Sequence, residues 1–327
     1  MYIIKNSRIL SLILGLPLLV LVGCVATETI QDTSIKSEAA QAGVIWLIEN
    51  NQNDDGGYGT DFETGQPASN IPSTIDAIQA IASMGQAPDK PYADRKNTPV
   101  SYLRENVSSL TAYVEGSGGN AGKAILALVE ANQDPREFAG TDWVKMLIEQ
   151  ATPSGPYNTA DAFNQSLAIR ALAAVNEPIP DDAVQWLKDQ QAEDGSWDDG
   201  FGTLQNPDAT AISIMALSAA GVSADDAALA KALQFLAGSQ LPSGGWEYGP
   251  GFGENANSTA LVIQALASAG ENYNADDGDW SQDGNTPLSA LMTYQSSTGA
   301  FQADFGQGPV DNFLATVQAI PAVIAQP

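Results

Sequence analysis

Acidic side chains are the chemistry this chain has to offer. Its 327 residues hold 39 Asp and Glu, no histidine and one cysteine, Cys24. The lack of histidine removes the imidazole base, the imidazole-oriented nucleophile and the commonest zinc ligand. One cysteine permits neither an intrachain disulfide nor a thiolate cluster. What remains is carboxylate work: a proton moved by a carboxyl held neutral, hydrogen bonds to hydroxyls, or calcium ligation. The acids include five adjacent pairs, Asp54-Asp55, Asp181-Asp182, Asp198-Asp199, Asp225-Asp226 and Asp276-Asp277. The densest cluster joins Asp276, Asp277 and Asp279 to Asp283. Its spacing does not match a helix-loop-helix calcium site. No resident metal or cofactor is expected, and calcium at this loop is the one alternative kept.

A second set of polar residues sits where helices should begin: Ser73, Thr74 and Asp76, then Asp161, Asp208, Asn257 to Thr259, and Asp311 with Asn312. Such residues are the preferred helix N-caps. The competing reading is a polar collar around one mouth of the fold, able to orient a sugar or a cation. In that reading Asp76, Asp161, Asp208 and Asp311 bind, and Tyr58, Tyr157, Phe201, Tyr248 and Phe252 on adjoining loops are stacking surfaces.

Positioning these residues is the task of a repeat. Each unit reads as a helix, a Gly-rich loop and a second helix closed by Gly or Asn at positions 85, 132, 176, 221 and 270. The intervals are 47, 44, 45 and 49 residues. Gly and Asn accept the left-handed conformation that ends a helix. A sixth copy runs from Pro287 to Ile320 and stops at Pro321. In the first helix of a unit, Leu229, Ala232, Leu233 and Leu236 make one apolar stripe, as on an outer helix. The second kind, such as 211–220 and 260–269, is Ala-rich and apolar nearly all round, as on an inner one. The pattern predicts an all-α fold, an (α/α)6 barrel or toroid spanning residues 39–327.

The chain opens as an export signal. Lys5 and Arg8 precede an apolar run from Ile9 to Val22, too short for a membrane span, over residues 1–23. Residues 24–38, rich in Thr, Ser, Gln and Glu without a helical stripe, read as a tether. The net charge of −26 repels nucleic acid and anionic headgroups.

Two resemblances carry further. Leu21-Val22-Gly23-Cys24 resembles the lipobox of bacterial lipoproteins, implying cleavage before Cys24, lipidation of its sulfur and an exported, membrane-anchored protein. In the loops, Gln191 with Gly195-Ser196-Trp197 recurs as Gln240 with Gly244-Gly245-Trp246. Weaker copies are Gln52 with Tyr58, Gln295 with Phe301, and Gln150 with Tyr157; the second repeat, around Tyr113 to Asn120, has lost the pattern. These loops resemble the glutamine–tryptophan repeats of squalene cyclases, in the terpene cyclase and protein prenyltransferase superfamily. The resemblance implies a structural role, the Gln ending an outer helix and the ring packing between repeats.

Squalene-cyclase-type enzymes protonate an alkene through Asp-x-Asp-Asp, and every acidic pair here lacks the aspartate two residues upstream. Asp-Asp-x-x-Asp and the prenyltransferase zinc set are absent too. Single acids Asp76, Asp161, Asp208 and Asp311 are the only substitutes. The openings Ser258-Thr259-Ala260 and Ser73-Thr74 also resemble those in the helical domain of cobalamin carriers. The sequence thus favours a binding or interaction module with a small-molecule, glycan or protein ligand. A squalene- or terpene-cyclase-like enzyme, or a polysaccharide-active one, is the alternative.

Overall fold

The computed structural model describes residues 25–60, 67–202, 205–326. The expected signal and Cys24 lie outside them. The first helix, α1 (Val25–Asn51), is followed by α2 (Ile71–Ser83), α3 (Pro99–Glu105), α4 (Val107–Gly116) and α5 (Gly118–Glu130). Then come α6 (Trp143–Ile148), α7 (Ala162–Ala174), α8 (Asp181–Asp189) and α9 (Pro207–Ala219). The last are α10 (Ala227–Ser239), α11 (Ala256–Ser268), α12 (Pro287–Met292), the hairpin β1 (Gln302–Asp304) and β2 (Pro309–Asp311), and α13 (Phe313–Ile324).

Six helices form the inner layer because their sequences leave no wet face. In α9 every residue from Ala209 to Leu217 is buried. Each inner helix packs on the next, from α2 through α5, α7, α9 and α11 to α13, and α13 returns to α2, so the ring is closed. The outer layer is α1, the broken pair α3–α4, α6, α8, α10 and α12. On α10 the stripe of Leu229, Ala232 and Leu236 is buried and the opposite face is wet.

The second repeat, which lacks the Gly-rich loop, joins its layers through Ser117 alone. Closeness compensates there: a Cβ on Gly122 would lie 2.4 Å from the Leu167 carbonyl oxygen, so α5 and α7 pack nearly backbone to backbone. Two expectations are corrected. The segment after Cys24 is helical from Val25 rather than a flexible tether, and α13 continues through Pro321 to Ile324. No helix among the described residues is long and apolar enough to cross a membrane.

The loop repeat is a device for docking neighbouring outer helices. Gln191 Nε2 donates to the Gly195 carbonyl (3.0 Å) and to the Ala228 carbonyl of the next outer helix (2.9 Å). Gln240 donates to Gly244 and to Trp280, in the turns ahead of the next outer helix, each at 2.9 Å. Gln295 joins Gly299 (3.0 Å) to Ala39 on α1 (2.8 Å), clasping the last unit to the first. Glycine is required between these contacts. Gly195 has φ +94°, and a Cβ there would sit 2.3 Å from the Lys231 carbonyl oxygen. The aromatic ring then turns inward: Trp197 and Trp246 are fully buried, and their indole N–H groups donate to the Leu187 and Leu236 carbonyls at 2.8 Å.

Candidate functional site

The inner helices enclose a cavity of about 400 Å³ reached from all six of them. Apolar wall comes from Phe163, Leu167, Ile212, Leu261 and Val317. The polar wall holds one ion pair and two further charged groups. Lys123 Nζ, from α5, lies 2.6 Å from Asp76 Oδ1 of α2. Burial works against the Lys123 charge, but Asp76 beside it keeps the ammonium pKa above its usual range. Glu130, about two helical turns further along α5, is near enough to Arg170 of α7 to feel its charge. Burial raises the Glu130 carboxyl to about 7 against the opposing pull of Arg170 and of the Gln79 amide, which donates to it at 3.4 Å. Burial likewise lowers the Arg170 pKa, with the Glu130 charge resisting.

The cavity is not sealed. Arg170, Gln264 and Pro321 also line a second hollow of about 500 Å³, bounded by Ser218, Ala219, Ser268 and Ala325. Those residues are at or just beyond the carboxyl ends of α9, α11 and α13. The interior therefore communicates with the mouth opposite the Gly-rich loops.

At the loop end, the expected collar does not assemble as one surface. Asp76 points into the ring and pairs with Lys123. Asp161 caps α7, accepting from the Asn164 N–H at 2.7 Å. Asp311 accepts from Thr298 Oγ1 (2.7 Å) and Gln302 Nε2 (3.1 Å) beside the hairpin; burial opposes its charge, yet these bonds hold its pKa below the usual range. Asp208, in the first turn of α9, is different. Its Oδ1 is buried without a hydrogen-bond partner among the described residues, as is Ser258 Oγ. Burial raises the Asp208 carboxyl to about 7, and the Asp199 charge adds to the rise. Asn206, two residues earlier, caps α9.

The loop aromatics divide sharply. Tyr58 and Tyr157 are buried, so neither offers a stacking face. Their backbone N–H groups are held by Thr74 Oγ1 and Gln165 Oε1, each at 3.0 Å, which fixes the rings in the core. Phe301 is buried likewise, its N–H on Thr316 Oγ1 at 2.9 Å. Phe201 and Phe252 stand at exposed loop tips, 91% and 69% accessible, with Phe305 at 67%. Tyr248 packs edge-on against Phe252 (5.6 Å between centroids) and its hydroxyl donates to Asp199. Gln52 is buried and donates to the Gly56 carbonyl at 3.0 Å. Gln150 breaks the pattern by donating back to Val114 (2.9 Å), and Gln165 of α7 takes its place, reaching the Ala183 carbonyl of the next outer helix at 3.1 Å. At the Asp276–Asp283 loop and elsewhere, the described residues gather no group of three side chains able to hold a metal ion.

The family model of the prenyltransferase alpha-alpha toroid domain matches residues 16–136, 141–255 and 213–320. The chain belongs to this family. No curated protein matches it. Among solved structures it is similar to the apo type II terpene cyclase MstE from Scytonema, at TM-score 0.62 and 15% identity over 90% of this chain and 98% of that one. It is also similar to a protein from Actinoplanes, at TM-score 0.56 and 14% identity over 88% and 98%. Haptocorrin in complex with Cbi superposes at TM-score 0.53 and 15% identity over 90% of this chain and 67% of that one. At these identities the toroid is what is shared, and the ring's own residues must speak for its chemistry.

Sequence reasoning missed the interior. Lys123 and Arg170 had a signal available, a charge within a helix that is otherwise largely apolar, which a packed interior tolerates only with a partner or a purpose.

Proposed function

We propose that the chain is a lipid-anchored, extracytoplasmic binding module that takes a small molecule into its ring. The observation that carries this reading is the cavity itself. It has the volume of a ligand pocket and the usual mixture of apolar wall and a few convergent polar groups. Carbocation chemistry would call for several inward aromatics; among the described residues Phe163 is the one aromatic on the cavity wall. Nucleic acid is an unsuitable partner for a chain of net charge −26.

The anchor belongs to the same proposal: Leu21-Val22-Gly23-Cys24 resembles a lipobox, and Cys24 directly precedes α1 in the sequence. The test is titration with 2-naphthol, a neutral fluorescent probe, against wild type and Leu261→Trp, which fills the cavity. Binding lost in the variant supports the reading; equal binding refutes it.

Asp208 supports a second reading, acid catalysis. A buried carboxyl raised to about 7 is the kind of group that donates a proton, and type II terpene cyclases share the fold. Incubation with squalene, and with prenyl diphosphates plus magnesium, followed by mass spectrometry, decides between them. Products that vanish in Asp208→Asn would establish the enzyme.

A further inference from the structure

We infer that the ring selects a monocarboxylate with an apolar body, and that Arg170 is the residue that holds the carboxylate. This rests on the binding-module reading and names its ligand class. Three of the four charged groups in the cavity are engaged: Lys123 with Asp76 at 2.6 Å, and Glu130 with Gln79 at 3.4 Å. The Arg170 guanidinium has no hydrogen bond and no ion pair within 4 Å among the described residues, although it feels the Glu130 charge. Its five N–H donors are thus left facing the cavity and the hollow that leads to the inner-helix carboxyl ends.

The half-buried Arg170 guanidinium lines both hollows, and an incoming carboxylate supplies it with two parallel hydrogen bonds and an opposite charge. The charge count also limits the ligand. With Lys123 neutralised by Asp76, one cation is open, which matches a single negative charge and leaves a diphosphate uncompensated. Glu130, raised to about 7, is partly protonated near neutral pH and so opposes an anion less than a full carboxylate would. The body of the ligand meets Phe163, Leu167, Ile212 and Leu261. At roughly 30 Å³ per heavy atom, on the scale of liquid water, about thirteen heavy atoms fit.

The test compares 2-naphthoate with 2-naphthol, which share the ring system and differ in the carboxylate, by calorimetry on the purified protein at neutral pH. Wild type should bind the naphthoate at least about tenfold more tightly, as a charge-assisted pair supplies. Arg170→Gln should bring the naphthoate down to the naphthol level, so that the ratio of the two affinities falls to about one. Arg170→Lys should keep part of the preference. If the single variant unfolds, Glu130→Gln with Arg170→Gln removes both charges together and should abolish the preference in a neutral cavity. Equal binding of the two probes by wild type overturns the inference and leaves the binding module standing, as does a preference that survives loss of Arg170. If neither probe binds, the module reading falls and this one with it.

Discussion

Trp197 offers the sharpest test of how the ring is held together. Its indole is fully buried, its N–H donates to the Leu187 carbonyl at 2.8 Å, and its backbone N–H is bound by Thr210 Oγ1 at 3.1 Å. Two substitutions separate these contributions. Trp197→Ala removes the ring and leaves a cavity between layers, which costs about 3–5 kcal/mol. Trp197→Phe keeps most of the apolar volume but leaves the Leu187 carbonyl without its indole donor, which costs about 1–3 kcal/mol. Packing should therefore outweigh the hydrogen bond. The assay is urea unfolding followed by circular dichroism, with the midpoint compared at constant slope so that a changed denatured state is not mistaken for lost stability. A Trp197→Ala variant within about 1 kcal/mol of wild type would refute the staple, and so would a Phe variant as damaged as the Ala one.

Gly195→Ala should destabilise by at least about 2 kcal/mol in the same assay, because φ is +94° and the new Cβ meets the Lys231 carbonyl oxygen at 2.3 Å. Gln295→Ala removes the two bonds that clasp α12 to α1 and should cost about 1–3 kcal/mol, with hydrogen exchange in α1 rising first. Asp208, raised to about 7 in the fold against about 3.9 unfolded, keeps its proton longer when folded, so its contribution to stability falls as pH rises from about 4 to 7. Asp208→Asn should lack that fall, and a wild-type and variant pair with parallel pH–stability curves would contradict it. Cys24→Ser should release the protein from membranes or leave it unprocessed, read by fractionation and precursor size; unchanged fractionation would sink the anchor.

The ring was legible because periodicity and loop chemistry repeat. Gln191 and Gln240 recur at the same distance before Gly195 and Gly244, and the structure gives that spacing a cause: one amide must reach both its own loop and the backbone of the next unit. The Gly-rich loops did not reveal which way each aromatic turns. That depends on Thr74 and Gln165, residues of the following inner helices, so Tyr58 and Tyr157 read as rim residues although they are core. The polar start of α1 hid its helix for a related reason: residues 25–38 carry no apolar stripe, which is the local signal from which a helix is read. The cavity was illegible because its ion pair joins Asp76 to Lys123, 47 positions apart, and pairing across a ring leaves no local pattern.

Co-crystallisation of the protein with 2-naphthol tests the central claim most directly, since it asks where a small molecule goes. Density between Phe163 and Leu261, inside the ring, is the expected result. Density confined to the loop tips against Phe201 and Phe252, with the interior unoccupied, would contradict it and return the binding surface to the rim.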